Sequence, residues 1–175
     1  SHHSTKQHGS GTARLGLYDS EIDRMMRNIR GFKGCFAADE VKYIPLSRSE
    51  DTLAIVNLDN HDKPGSHWCG LLVSPQKDKT LEWYDSLAPA QSGGPPIPPA
   101  IKEQLKNMID DMKLGHALKF KYNSHRDQHM NTKTCGYHAM RFLLDRKAGR
   151  TFAQATNYPS INESEKSLKE KFGFF

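Results

Sequence analysis

Two short apolar runs separated by a polar turn constrain this sequence more than any other feature. Residues 67–74 read HWCGLLVS and residues 80–85 read TLEWYD, with PQKDK between them. Two runs of strand length joined by a short polar loop predict an antiparallel hairpin. Because the hairpin ends remote from the turn lie side by side, His67 and Asp85 are expected to be neighbours. A further run, LAIVNL at 53–58, predicts another buried strand.

Apolar residues also recur at helical spacing in three other segments, and residues 163–172 are expected to form a short C-terminal helix. Ser20 and Asp23 form a capping-box pattern at the start of the first, and Gly115 is a plausible C-cap for the second. Residues 117–122 alternate as a half-exposed strand, whereas 88–99, with two glycines and five prolines, predict a surface loop. Strands and helices together indicate an α+β fold. The predicted helices lie near 20–30, 101–114, 135–148 and 163–172.

A chain of 175 residues suits one compact domain, which we place at residues 17–175. Residues 1–16 are rich in His, Ser and Gly without apolar periodicity, so they predict a disordered leader or an expression remnant. Without them the chain has 23 basic and 20 acidic side chains, a mild excess that solvated surface lysines explain. No apolar run approaches the roughly 18 residues that a membrane span needs, so no membrane role is predicted.

Three cysteines, Cys35, Cys69 and Cys135, form an odd set without paired spacing. Neither a disulfide framework nor a CxxC metal site is indicated, and a reducing compartment is favoured. His67 and Cys69 share one face of a strand, which is compatible with metal ligation. Because no second ligand pair accompanies them, we predict no metal site and interpret Cys35 and Cys69 as core thiols.

An ordered set of polar residues favours thiol chemistry. A cysteine attacks carbonyl carbon as the thiolate, so it needs a histidine partner and an environment that favours negative charge. Cys135 lies at the predicted start of a helix, and the hairpin pairs His67 with a carboxylate, Asp85, that can hold its tautomer. Taken singly, these residues are better explained as an inert buried cysteine, an ordinary histidine and a turn-capping acid. Only the combination favours catalysis.

Three neighbours extend this set. Gln128 lies seven residues before Cys135 in a polar loop, and its amide N–H can donate to a developing oxyanion. Gly136 is expected to let substrate backbone come close, and the indole of Trp68 is expected to cover the surface beside His67. His138, at i+3 from Cys135, is predicted to be on the surface or in a supporting position.

Two segments resemble a known family. The run GSHWCGLLVSPQKDKTLEWYDS resembles the His-Trp hairpin, ending in an acid, of the adenovirus maturation proteases and the related ubiquitin-like-protein (SUMO) proteases. The run QHMNTKTCGYHAMRFLL resembles their Gln-loop-Cys-Gly-helix segment, and the order matches from about residue 19 to 147. Asp85 stands where the adenoviral enzymes carry glutamate, and Ala117 stands where their peptide-coupling cysteine aligns.

The resemblance implies a papain-like α+β fold in which a central mixed sheet is flanked by helices and Cys135 begins a buried helix. It also implies roles for four residues. Cys135 is the nucleophile, His67 its base, Asp85 the orienting acid and Gln128 the oxyanion donor, with Trp68 packed beside the site.

The expected function is that of a cysteine endopeptidase that trims capsid or core precursors during virion maturation, in an adenovirus relative such as a virophage or a viral-type transposon. Its partners are then viral structural precursors and, as a side hypothesis, non-specific DNA; its location is the virion and the infected-cell interior. The chemistry requires no cofactor, and the need for activation by DNA or a peptide stays undetermined. Two alternatives remain open: a deconjugating protease for a ubiquitin-like modifier, and a non-catalytic binding module on a protease fold.

Overall fold

The computed structural model describes residues 16–114 and 117–174. Residues 1–15 of the predicted leader and Gly115, the predicted C-cap, lie outside this part of the chain. Within it, no helix combines the length and apolar character needed to cross a membrane.

The core is a five-stranded mixed sheet with the strands in sequence order. The predicted hairpin forms its centre, with antiparallel pairing between the second, third and fourth strands. Each outer strand pairs in parallel with its neighbour. The predicted mixed sheet is therefore confirmed. The strands are β1 (Phe32–Phe36), β2 (Thr52–Asn57), β3 (Trp68–Ser74), β4 (Thr80–Tyr84) and β5 (Lys119–Tyr122).

Helices cover both faces of the sheet because the central strands project apolar side chains from both faces. The helices are α1 (Asp19–Met26), α2 (Pro99–Asp111), α3 (Cys135–Lys147), α4 (Phe152–Thr156) and α5 (Ile161–Phe172). On β3, Leu72 packs toward α1 and α3, whereas Leu71 and Val73 pack toward α2. Two 3₁₀ turns, Ala38–Tyr43 and Pro89–Ser92, complete the layers.

The start of α1 differs from the prediction. The helix begins at Asp19, and the carboxylate of Glu21 accepts the backbone N–H of Tyr18 at 2.8 Å, so Ser20 and Asp23 do not form the capping box. The helix ends at Met26, before Ile29. The apolar pattern placed the helix correctly, but an acidic residue nearer its first N–H groups caps it.

Strand β1, helix α4 and the 3₁₀ turn Ala38–Tyr43 were missed from the sequence, and one predicted loop is partly regular. Strand β1 contains Lys33 and Gly34, which obscure its pattern, and α4 is only five residues long. The proline-rich stretch 88–99 includes a 3₁₀ turn and supplies Pro99 as the first residue of α2, where a missing N–H costs nothing.

Candidate active site

The hairpin brings His67 and Asp85 together, as the sequence predicts. His67 immediately precedes β3 and Asp85 immediately follows β4. The imidazole Nε2 of His67 and Oδ1 of Asp85 are 2.7 Å apart, and both side chains are buried. Oδ1 also accepts the N–H of Leu87 at 2.9 Å, which fixes the carboxylate. Asn123 clamps the backbone of Asp85 by accepting its N–H at 2.9 Å and donating to its carbonyl oxygen at 2.7 Å.

The electrostatics of this pair favour the charged imidazolium. Burial alone would lower the pKa of His67, but hydrogen bonding to Asp85 and to Cys135 outweighs burial and raises its pKa well above the usual range. Burial likewise opposes ionisation of Asp85, yet hydrogen bonding and charge from His67, with the N–H of Leu87, hold its pKa below the usual value. An ionised carboxylate therefore faces a readily protonated histidine.

Cys135 begins α3, at the end where unpaired N–H groups favour negative charge. Its sulfur accepts the backbone N–H of Trp68 at 3.5 Å, which places it beside the start of β3. Its thiol is near enough to His67 to raise the pKa of the imidazole, although Nδ1 makes no hydrogen bond of regular geometry with any described residue. The arrangement can therefore move a proton from sulfur to imidazole. Cys135 is 0% exposed.

Gly136 packs closely against the core. A Cβ added there would meet side-chain atoms of Leu17, Trp68 and Ile22 at 3.2–3.4 Å. The missing side chain thus lets α3 approach the core closely. That Gly136 also lets substrate backbone come close stays a prediction. Trp68 is buried, and its indole N–H donates to the carbonyl of Leu17 at 2.9 Å.

The loop that precedes α3 carries Gln128, which is fully buried. Its Oε1 accepts the hydroxyl of Ser86 at 2.6 Å, and its Nε2 donates to the carbonyl of Thr132 at 2.9 Å. The neighbouring Asp127 accepts the phenol of Tyr84 at 2.6 Å, and burial raises the pKa of Asp127 to about 6. Both residues are thereby tied to the end of β4.

Cys69 is a buried thiol that lies next to His67 and Asp85. The donor atoms of His67, Cys69 and Asp85 all lie within 4.8 Å of one another, so these are the described residues that could hold a metal ion. The imidazole of His67 and the carboxylate of Asp85 are already hydrogen-bonded to each other. Burial raises the pKa of Cys69 to about 12. A protonated thiol is a poor ligand, so this set does not favour a metal centre. Within the described part of the chain, none of the three cysteines forms a disulfide.

His138 is fully buried, which contradicts a surface position and agrees with the other predicted alternative, a supporting position. Its Nδ1 accepts the guanidinium of Arg141 at 3.2 Å, and its Nε2 lies 3.3 Å from the carboxylate of Glu165 on α5. The same carboxylate accepts the hydroxyl of Thr134 and the N–H of His129. Helix α5 therefore anchors the loop that carries Gln128.

This network predicts a pH-dependent stability difference. Burial lowers the pKa of His138 to about 4, so the unfolded chain binds more protons than the folded one between pH 4 and 6.5. The folded protein therefore loses stability as the pH falls through this range. Replacement of His138 by Gln, which can accept a hydrogen bond from Arg141 and donate one to Glu165, removes this loss of stability. We expect the free energy of unfolding of the unmodified protein to fall by about 3 kcal/mol more than that of His138→Gln between pH 6.5 and 4.

Urea unfolding of both proteins across this range measures the difference. The protonation of Asp127, whose raised pKa acts in the opposite direction, occurs in both proteins and cancels. Parallel stability profiles would show that His138 is not held neutral in the folded state.

Ser86, Asn123 and Glu165 were missed by the sequence reasoning. Ser86 directly follows Asp85, so a hydroxyl at the end of a site-bearing strand was a signal. Asn123 directly follows β5 and begins the loop that carries Gln128, so a polar side chain at the end of a strand was again a signal. Glu165 gave none, because nothing local links a helix near the C-terminal end to a loop about 30 residues earlier.

Comparison with solved structures shows that this chain shares its fold with a viral protease. The pS273R protease of ASFV matches with a TM-score of 0.64 at 14% identity, covering 89% of this chain and 67% of the viral one. This likeness confirms the predicted α+β protease fold. ChlaDub1 from Chlamydia trachomatis also matches, with a TM-score of 0.47 at 15% identity, covering 70% of this chain and 57% of that one. The SUMO protease Ulp1 matches with a TM-score of 0.43 at 19% identity, covering 69% of this chain and 50% of that one. No family model matches the sequence, and no curated protein does so significantly.

Proposed function

We propose that this chain is a cysteine endopeptidase with Cys135 as nucleophile. One observation carries the proposal: a buried His67–Asp85 pair meets a thiol at a helix N-terminus, on the fold of a viral protease. An acid, a base and a nucleophile from three separate elements converge where burial strengthens their interactions. A fold that only binds partners has no chemical need for this convergence.

The proposed reaction proceeds in two halves. His67 takes the proton of Cys135, and the thiolate attacks the carbonyl carbon of the scissile bond, so that an S–C bond forms and the carbonyl electron pair moves to oxygen. The side chain of Gln128 and backbone N–H groups donate to that oxygen. His67 then protonates the leaving nitrogen as the C–N bond breaks. Water hydrolyses the thioester, and the residues present need no cofactor for either half.

The proposed substrates are viral structural precursors, cleaved during virion maturation in the virion or the infected cell. The support is the likeness to the ASFV protease together with the sequence resemblance to adenoviral maturation enzymes. The proposed source is an adenovirus relative such as a virophage or a viral-type transposon.

A library of peptides prepared from a digested proteome tests the activity across many sequences at once. We expect the protein to generate new peptide N-termini around a common motif, and Cys135→Ala to generate none. Reaction only with a ubiquitin-like modifier bearing a C-terminal electrophile would favour the deconjugating alternative. Failure to react with either substrate would overturn the proposal and favour a binding module.

A further inference from the structure

The carboxamide of Gln128 is held at both ends. The hydroxyl of Ser86 donates to Oε1 at 2.6 Å, and Nε2 donates to the carbonyl of Thr132 at 2.9 Å. A primary amide has two N–H groups. After the bond to Thr132 the second has no acceptor among residues 16–114 and 117–174. One buried N–H donor is thus left for a ligand.

Ser86 also binds the backbone of the loop that carries Gln128. Its carbonyl oxygen accepts the N–H of Asp127 at 2.8 Å and that of Gln128 at 3.2 Å. Ser86 follows Asp85 directly and is itself buried. A single residue therefore connects the loop of the oxyanion donor to the strand end that carries the orienting acid.

We propose that Ser86 is a positioning residue for the oxyanion donor, an inference that rests on the proposed function. Its hydroxyl withdraws electron density from Oε1, and chains of hydrogen bonds polarise one another, so the remaining N–H of Gln128 becomes a stronger donor. The reversed amide would set Oε1 against the carbonyl of Thr132, two acceptors in contact. Ser86 and Thr132 thus select the orientation that presents N–H.

Two reagents that attack the same sulfur separate this role from a general structural one. Iodoacetamide reacts by displacement: an S–C bond forms, iodide leaves and no oxyanion develops. With p-nitrophenyl acetate the thiolate attacks a carbonyl, an oxyanion forms and p-nitrophenolate departs, which absorbance records. The ratio of the two rates at Cys135 reports on the oxyanion donor.

Ser86→Ala is expected to lower acetylation of Cys135 about tenfold, the usual effect of one hydrogen bond, with alkylation unchanged within about twofold. Ser86→Thr, which keeps the hydroxyl, should restore acetylation. Gln128→Ala should slow acetylation about a hundredfold, and adding Ser86→Ala to it should cost nothing more, because the two act through one donor.

Ser74→Ala is the matched control. Ser74 is an equally buried serine at the opposite end of the hairpin, where its hydroxyl donates to Asp51 at 2.7 Å. Its removal should leave the ratio of acetylation to alkylation unchanged. Retained alkylation shows in each variant that the thiol and its histidine are still assembled.

The outcomes that overturn the inference differ from those that overturn the function. Normal acetylation of Ser86→Ala beside slow acetylation of Gln128→Ala would refute the inference alone. Loss of both reactions in Ser86→Ala, or additive effects in the double variant, would show a general structural role and also refute it. Normal acetylation of Gln128→Ala would remove both residues from catalysis. A native thiol inert to both reagents would refute the proposed function.

Discussion

Cys135→Ala is expected to abolish peptide hydrolysis while the fold remains intact. Loss of a nucleophile that works jointly with a histidine base lowers turnover by about a millionfold in a serine protease, and we expect a loss of the same order here. The substitution removes only one buried sulfur, so the free energy of unfolding should fall by about 1 kcal/mol. Turnover of a peptide identified in the library, together with urea unfolding followed by circular dichroism, measures both quantities.

Cys35→Ala is the matched control for this change. Cys35 is another buried cysteine outside any disulfide, in the same hydrophobic cluster as Cys135, on β1. Its loss should cost similar stability and leave turnover within about twofold. Residual hydrolysis by purified Cys135→Ala, at a rate close to that of the native enzyme, would show that another group is the nucleophile.

His67→Ala is expected to remove both peptide hydrolysis and the reactivity of the Cys135 thiol at acidic pH. Because its pKa is raised, His67 is protonated at about pH 6, and the imidazolium stabilises the neighbouring thiolate. Its removal should therefore slow alkylation of Cys135 by iodoacetamide at this pH about a hundredfold. Mass spectrometry of the labelled peptides locates the adduct and compares all three cysteines from about pH 5 to about pH 9.

His61→Ala controls for the loss of a histidine–aspartate pair. His61 bonds to Asp39 on an exposed part of the chain, and hydrogen bonding to that acid raises the pKa of His61. Its replacement should not alter labelling of Cys135. Equal and slow labelling of the three cysteines in the unmodified protein would mean that the thiolate is not preformed.

The hairpin was predictable because its signals are local. Apolar runs of strand length and a polar turn fix the ends of β3 and β4, so the pairing of His67 with Asp85 followed from their positions alone. The position of Cys135 beside Trp68 did not follow from spacing. It depends on the packing of α3 across the sheet, and only the resemblance to known proteases supplied it.

The environment of α3 was the least predictable part. Its buried face includes His138 and Arg141, polar residues that an apolar periodicity assigns to solvent. Glu165 and the backbone of Ser164 on α5 make that burial tolerable by supplying hydrogen bonds from a distant part of the sequence. A pattern within one helix does not contain this information.

The order in which the site residues occur along the chain has a consequence during translation. The hairpin that holds His67 and Asp85 is complete 50 residues before Cys135, a delay of about 3–10 s at ordinary rates of synthesis. Glu165, whose carboxylate anchors the loop that carries Gln128, is made later still. We therefore expect the nascent chain to be proteolytically silent until α5 has emerged from the ribosome.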